Sequence, residues 1–421
     1  MSKELTYTEI FVPGGFPRHT YNPRAALKLE KTLGQTRENL CKLAAITGHT
    51  KSGKTVLAKR VFPTEDSVWI DGGAVGEEDD FWESIVGQLD LFQSASSEAA
   101  SETGGVIGGK ASAEGSVIFA KTAGEASASI TKKTSSAETE TRTVSSRVVA
   151  LDGLRRAKRP LVVDDFHYIS KDLQGTIVRA LKSLIFDGLP VAIIAIPHRR
   201  YDAMKVEKEM TGRIEPITIP VWEPNELEFI PTTGFKLLGY TVSDEILKRL
   251  ASEAIGSPHL IQDFCRTTCR RKDLRKSSRE VPLEVDSKEL DNVLHEVADT
   301  IGRPIFEKLA RGPRQRSDRI PRKLKSGDTV DIYSLVLHAL AQIRPGLVTL
   351  EYEDLRSAIK EVSGGDIPQL QEVARVLKHM ANISASDQSS TPVIDFEDEE
   401  KKLHITDPFF AFYLRWGSLA L

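Results

Sequence analysis

The first half of this chain alternates short, unbroken apolar runs with amphipathic stretches. Leu43-Ala44-Ala45-Ile46-Thr47, Leu161-Val162-Val163 and Val191-Ala192-Ile193-Ile194-Ala195-Ile196 lack polar alternation, as strands buried on both faces of a parallel sheet do. From Asp172 to Phe186, residues Leu173, Ile177, Val178, Leu181, Leu184 and Ile185 recur at helical spacing, and Gly188-Leu189-Pro190 ends that run. Further helices are expected over Phe81–Phe92 and Val144–Arg155. This rhythm predicts an α/β fold with a parallel sheet. Beyond it the pattern is helical: Asn225 to Gly256 carries Leu227, Ile230, Leu237, Leu238, Ile246, Leu247 and Leu250. Near the end, Asp331–Ile343, Tyr352–Val362 and Pro368–Ala381 predict three amphipathic helices. Pro392–Phe396 and Lys402–Ile405, split by an acidic turn, predict paired strands.

Residues 94–146 break the rhythm. Ser94–Ser101 is rich in Ser, Ala and Glu, Thr134–Ser146 in Ser, Thr and Glu, and small residues with many glycines lie between. Two readings stand: a solvated low-complexity insertion with too few large apolar residues to order itself, or a small-residue β-hairpin that pairs between subunits or meets a membrane through 104–130. Elsewhere a 40 % hydrophobic fraction over 421 residues supplies real cores, and no apolar run approaches the ~18 residues of a spanning helix. The N-terminus lacks a signal-peptide core, which predicts a cytoplasmic protein. Cys41, Cys265 and Cys269 are too few for a disulfide framework, and the net charge of −3 excludes no partner class.

The chemistry concentrates in two places. Gly48-His49-Thr50-Lys51-Ser52-Gly53-Lys54-Thr55 fits GxxxxGK[ST] between an apolar strand and a helix-forming stretch. In that context the glycines let successive N–H groups point at phosphate oxygens, Lys54 reaches the β/γ-phosphates of ATP, and Thr55 ligates Mg²⁺. The second place is Leu161-Val162-Val163-Asp164-Asp165, an apolar strand ending in paired carboxylates. Asp164 suits Mg²⁺ and Asp165 the attacking water, from a strand expected beside the P-loop strand. His198, or else Arg199, at the tip of the Val191–Ile196 strand is a candidate γ-phosphate sensor.

Together these pieces resemble the AAA+ and STAND branch of P-loop ATPases, including origin-recognition-like and stand-alone archaeal and bacterial members. Three more segments carry the resemblance: Thr20-Tyr21-Asn22-Pro23-Arg24, Gly212-Arg213 ahead of a strand and Pro220-Val221-Trp222, and Gly256-Ser257-Pro258 within a helical stretch. It implies Tyr21 and Arg24 near adenine, Arg213 as a finger acting on a neighbouring subunit, and Pro258 in a lid motif. It also implies a P-loop NTPase core over 1–220, a helical lid over 221–280, a helix and basic linker over 281–330 and a winged helix over 331–421. Asp165 stands where a Glu is usual and His198 where Asn or Arg is, which implies slow hydrolysis with binding intact. The function implied is an oligomeric regulatory switch, in bacterial conflict or defence, with a protein effector or trigger. The alternative is a DNA-associated ATPase. Basic residues in 266–279 and 311–325 suit either nucleic-acid phosphates or a solvated face. Arg375, Lys378 and His379 are the only DNA-facing candidates on the third helix, and the acidic wing favours protein contacts.

Overall fold

The computed structural model describes residues 5–38, 41–91, 128–133, 139–196, 212–313, 320–385, 392–398 and 400–419. It divides into two compact units: Glu30–Thr47 with Ala58–Ile217, and Met1–Leu29 with Gly48–Leu57 and Thr218–Leu421.

The first of these units holds a five-stranded sheet. Its strands are β1 (Leu43–Gly48), β2 (Val68–Asp71), β5 (Leu161–Asp164), β6 (Val191–Ala195) and β7 (Ile214–Ile219), in the order β2-β5-β6-β1-β7. β2, β5, β6 and β1 run parallel. Every residue of β1 and β6 is buried, which explains their unbroken apolar sequences. Helices Glu78–Gln88 (α2), Ser146–Ala157 (α3) and Lys171–Phe186 (α4) contribute Phe81, Trp82, Leu154, Ile177 and Leu181 to one core with Val68, Val163 and Ile193; the helix α1 (Lys54–Val61) follows β1. Phe81 and Trp82 meet edge to face at 4.8 Å.

The strand order corrects one expectation. β5 does not neighbour β1, because β6 lies between them. Val163 pairs with Ile193, which pairs with Ala45, so Asp164 stands level with Ile46. Between β2 and β5, β3 (Ala128–Lys133) and β4 (Thr139–Val144) form an antiparallel hairpin. Of the expected 94–146 excursion, residues 94–127 and 134–138 lie outside the described residues.

In the other unit the expected helical run 225–256 is interrupted. Helix α5 (Phe229–Leu238) stops at Gly239, whose φ of +86° is a left-handed cap, and α6 (Asp244–Glu253) restarts after β8 (Tyr240–Thr241), which pairs with β9 (Val281–Pro282). α7 (Pro258–Arg271), α8 (Ser287–Ile301) and α9 (Arg303–Arg311) follow, then the short pair β10 (Arg322–Lys323) and β11 (Thr329–Val330). The last part has the elements of a winged helix. Helices α10 (Ile332–Ile343), α11 (Tyr352–Val362) and α12 (Leu370–Ala385) precede the wing of β13 (Ile394–Glu397) and β14 (Lys402–Ile405). The unexpected β12 (Thr349–Glu351) makes it a three-stranded sheet. Closing helix α13 (Pro408–Trp416) is buried along nearly its whole length. Its Phe412 packs on Phe264 at 4.9 Å and its Tyr413 on Phe306 at 5.0 Å, so α7, α9 and the winged helix share one core. Among the described residues no helix is long and apolar enough to cross a membrane.

Candidate nucleotide site

Gly48 ends β1 and opens the P-loop. A Cβ there would lie 2.9 Å from Ser52 Oγ and 3.0 Å from the Ile219 carbonyl, so the strand end and the loop close only around a glycine. Lys51 (φ +61°) and Gly53 (φ +91°) make the left-handed turns that curl the chain inward. Lys54 opens α1 and is buried; its Nζ donates to the carbonyls of Gly48 (2.9 Å) and His49 (2.8 Å). Burial, and then the Lys54 charge, lower the His49 pKa below its ordinary value. Among the described residues, the Thr50 and Ser52 hydroxyl oxygens are buried without a hydrogen-bond partner. Such orphans are costly and suit a polar ligand lying in the loop. Thr55, half-buried, sits in the first turn of α1.

A remote segment holds this loop from behind. Trp222 Nε1 donates to the Ser52 carbonyl at 2.9 Å. Arg24 lies over the Trp222 ring at 4.7 Å and donates to Glu226 and to the carbonyls of Pro220 and Val221. Burial raises the Glu226 carboxyl, but hydrogen bonds from Arg24 and the Glu223 N–H, with the Arg24 charge, outweigh it and leave the pKa lowered. Arg24, expected at adenine, therefore acts as a tie between the N-terminal segment and residues 220–226. Its neighbour Tyr21 is half-buried. Thr20, also on this segment, accepts from Gln262 of α7. Pro258 occupies the first turn of α7 behind the Ser257 cap. Lys51 Nζ stands 5.5 Å over the Phe409 ring, which also meets His259 edge-on at 4.9 Å. Asp407 caps α13 through the Phe410 N–H, and its burial pushes its carboxyl up, with the backbone N–H groups, Lys51 and His259 opposing.

The acidic end of β5 is built differently. Asp164 Oδ1 accepts from the Asp165 N–H at 2.9 Å, and Asp165 itself is left-handed at φ +49°, ψ +38°. That conformation is uncommon for a side-chain-bearing residue and concentrates at functional turns. Gly72, just after β2, makes the turn possible from outside: a Cβ on it would lie 2.5 Å from the Asp165 carbonyl oxygen and 2.9 Å from that of Asp164. His167 is buried, 4.0 Å from Asp165 by Nδ1, with its ring on Tyr168.

Arg213, the candidate finger, directs its guanidinium at the Phe186 ring, 5.5 Å away, while its carbonyl accepts from the Leu43 N–H. His198 and Arg199 lie outside the described residues. Nothing in the sequence of Trp222, Gly72 or Asp407 announces its role, because each acts on residues far along the chain.

Much of the basic sequence is already paired with acids of the same unit. Arg270 and Arg271 bind Glu296, Lys272 binds Glu289, and Arg322 binds Glu372. On the winged helix Lys378 meets Asp398, and His379 bonds the Tyr333 hydroxyl.

The structure is similar to the Walker-type ATPase of Pyrococcus abyssi, at 17 % sequence identity over 94 % of this chain and 97 % of that one, with a TM-score of 0.51. Lower scores relate it to the Aeropyrum pernix ORC2 protein in its ADPNP–ADP complexes (13 % identity, 97 % and 94 % covered, TM-score 0.45). The same holds for a STAND protein with a tetratricopeptide-repeat sensor from Pyrococcus horikoshii (13 % identity, 91 % and 41 % covered, TM-score 0.34). No protein-family model and no curated sequence matches the chain.

Proposed function

We propose, from the P-loop ATPase fold that the first of these likenesses shows, that this chain binds ATP with Mg²⁺ at Gly48–Thr55, hydrolyses it slowly, and works as an oligomeric regulatory switch. The observation that carries the reading is the loop itself: a buried lysine folded onto the Gly48 and His49 carbonyls, beside two buried hydroxyls that have no partner among the described residues. In the bound form Lys54 exchanges the Gly48 and His49 carbonyls for β/γ-phosphate oxygens. Loop N–H groups and the Thr50 and Ser52 hydroxyls hold the remaining phosphate charge. Thr55 and Asp164 would be the oxygen donors for Mg²⁺, which would supply positive charge to the phosphates. Asp165 accepts the proton of the attacking water; its side chain, one methylene shorter than Glu, reaches less far, which slows the step. His198 reads the γ-phosphate. Arg213 stabilises transferring charge in a neighbouring subunit, an effect worth about 10³–10⁵ in rate in GTPase examples.

The pairing of basic side chains with acids favours a protein-triggered switch, of the kind used in bacterial defence, over a DNA-assembled ATPase. ATP turnover and particle mass, measured with and without ATP, DNA and salt, test both readings. The switch predicts ATP binding and ATP-dependent mass with turnover indifferent to DNA. Turnover stimulated by DNA and falling steeply with salt selects the other reading. No ATP binding removes both.

A further inference from the structure

The turn that follows β5 places a histidine beside the carboxylate read above as the base. It is a tight helical turn, closed by the Tyr168 N–H donating to the Asp165 carbonyl at 2.9 Å. Gln174 of α4 clamps it from the core side: its buried Nε2 donates to the carbonyls of Phe166 (3.0 Å) and Ile169 (2.8 Å). Residues two apart in a regular helical turn do not face each other. The left-handed backbone of Asp165 breaks that rule, and His167 Nδ1 stands 4.0 Å from Asp165 Oδ1. The two side chains are held very differently. That of His167 is 3 % exposed and lies against Tyr168 with ring centres 4.2 Å apart, whereas that of Asp165 is 47 % exposed. The ring is fixed, and the carboxylate is the member of the pair with room to turn.

The geometry points to His167 as a positioning residue for Asp165, an inference that rests on the ATPase reading and adds a residue to it. A catalytic base works best when a third group fixes its orientation. With its proton on Nδ1, the imidazole donates to the Asp165 carboxylate once that side chain closes the roughly 1 Å between 4.0 Å and a hydrogen bond. Catalytic contacts are often long without substrate and tighten around it. One carboxylate oxygen is then held by Nδ1–H, and the other is presented to the water whose proton Asp165 accepts. His167 keeps its own proton throughout and touches neither phosphate nor metal. Asp165 reaches less far than a Glu, so its orientation matters more: a misplacement of about 1 Å is worth on the order of 10²-fold in rate. A histidine that only filled space beneath the turn would be replaceable by another ring, and that difference sets the test.

The experiment uses full-length protein and reads ATP affinity, single-turnover hydrolysis and the denaturation midpoint. H167F keeps a buried ring and deletes the donor. H167Q keeps polarity but offers its amide near the Nε2 position, and H167N offers an amide where Nδ1 stood. Hydrolysis is expected to fall about tenfold or more in H167F and H167Q, with ATP affinity at the wild-type value. In H167N it is expected to stay within about threefold of wild type, although the smaller side chain costs that variant the most stability. Rate then follows the donor, and stability follows the ring. H167Q keeps the test open should H167F fail to fold. Wild-type hydrolysis in H167F or H167Q, hydrolysis in H167N as slow as in either, or ATP affinity that falls with the rate each overturn the inference and leave the ATPase reading standing. Wild type that binds ATP without hydrolysing it removes that reading, and this inference with it.

Discussion

The P-loop and the acidic end of β5 both put charged side chains at the tip of a buried strand, yet they keep their shapes by different means. Gly48–Thr55 closes largely on itself: Lys54 bonds the carbonyls of residues five and six positions earlier, and Trp222 adds one bond from behind. At Asp164–Asp165 the Asp165 N–H donates to Asp164 Oδ1, and the left-handed turn exists because Gly72 leaves room for two carbonyls. A locally closed loop writes its constraints into one octapeptide. A turn enabled by a distant glycine leaves nothing beside it in sequence to announce the dependence.

Three substitutions separate these two modes, and a fourth tests the cap of α13. The largest effect is expected from Lys54→Ala, which removes a charge-assisted contact worth roughly 1.5–3 kcal/mol, about ten- to 150-fold in ATP affinity. Calorimetric titration of the folded variant checks it, and unchanged affinity would remove the nucleotide assignment. Gly72→Ala comes next. Its Cβ forces the Asp164–Asp165 backbone to shift, for a stability loss of about 1–3 kcal/mol. In a denaturant titration that loss should appear together with a fall in turnover while ATP binding persists. If ATP binding falls as far as turnover, the glycine is not specific to the acidic end. Trp222→Phe keeps a ring for Arg24 but deletes the bond to the Ser52 carbonyl, costing about 1 kcal/mol. A few-fold weaker ATP affinity is expected, and an affinity equal to wild type would show that the loop needs no support from behind.

The smallest effect belongs to Asp407, the buried cap of α13. Asn caps a helix nearly as well as Asp, whereas Ala costs about 1 kcal/mol. Because burial raises the folded-state pKa of Asp407, its stability term is fully present below the unfolded pKa and is lost as pH rises through the raised value. Asp407→Asn should therefore match or exceed wild type at neutral pH. Wild type should gain on it as pH falls from that raised value toward the ordinary 3.8. Paired denaturation curves at several pH values check this, and a gap that does not change with pH would show that folding leaves the Asp407 pKa unshifted.

How much could be read from sequence follows the same division. β1, β6, α4 and α11 lie where periodicity sets them, because each is determined by its own run of apolar residues. The interposition of β6 between β5 and β1 could not be read that way: strand order is a long-range property, and all three runs look equally buried. β12 was invisible because three residues, two of them exposed, carry no period. α12 runs on to Ala385, four residues past its expected end, because Ser384 accepts from the Val393 N–H and draws the helix end against the wing. At the site, the P-loop residues and Asp164–Asp165 were legible as motifs. Arg24 was legible as part of a segment but not as the tie it forms with Glu226, since that partner lies in another element.

The insertion of α13 into the core of α7 and α9 also sets an order in time. Phe264 and Phe306 are made well before Phe412 and Tyr413, the rings that cover them. At about 5–20 residues per second, Phe264 waits on the order of ten to thirty seconds for its partner. Through that interval Phe264 and Phe306 lack the two rings of α13 that pack on them in the folded chain. Apolar surface left open in a growing chain is a site for aggregation and for chaperones that bind apolar helices.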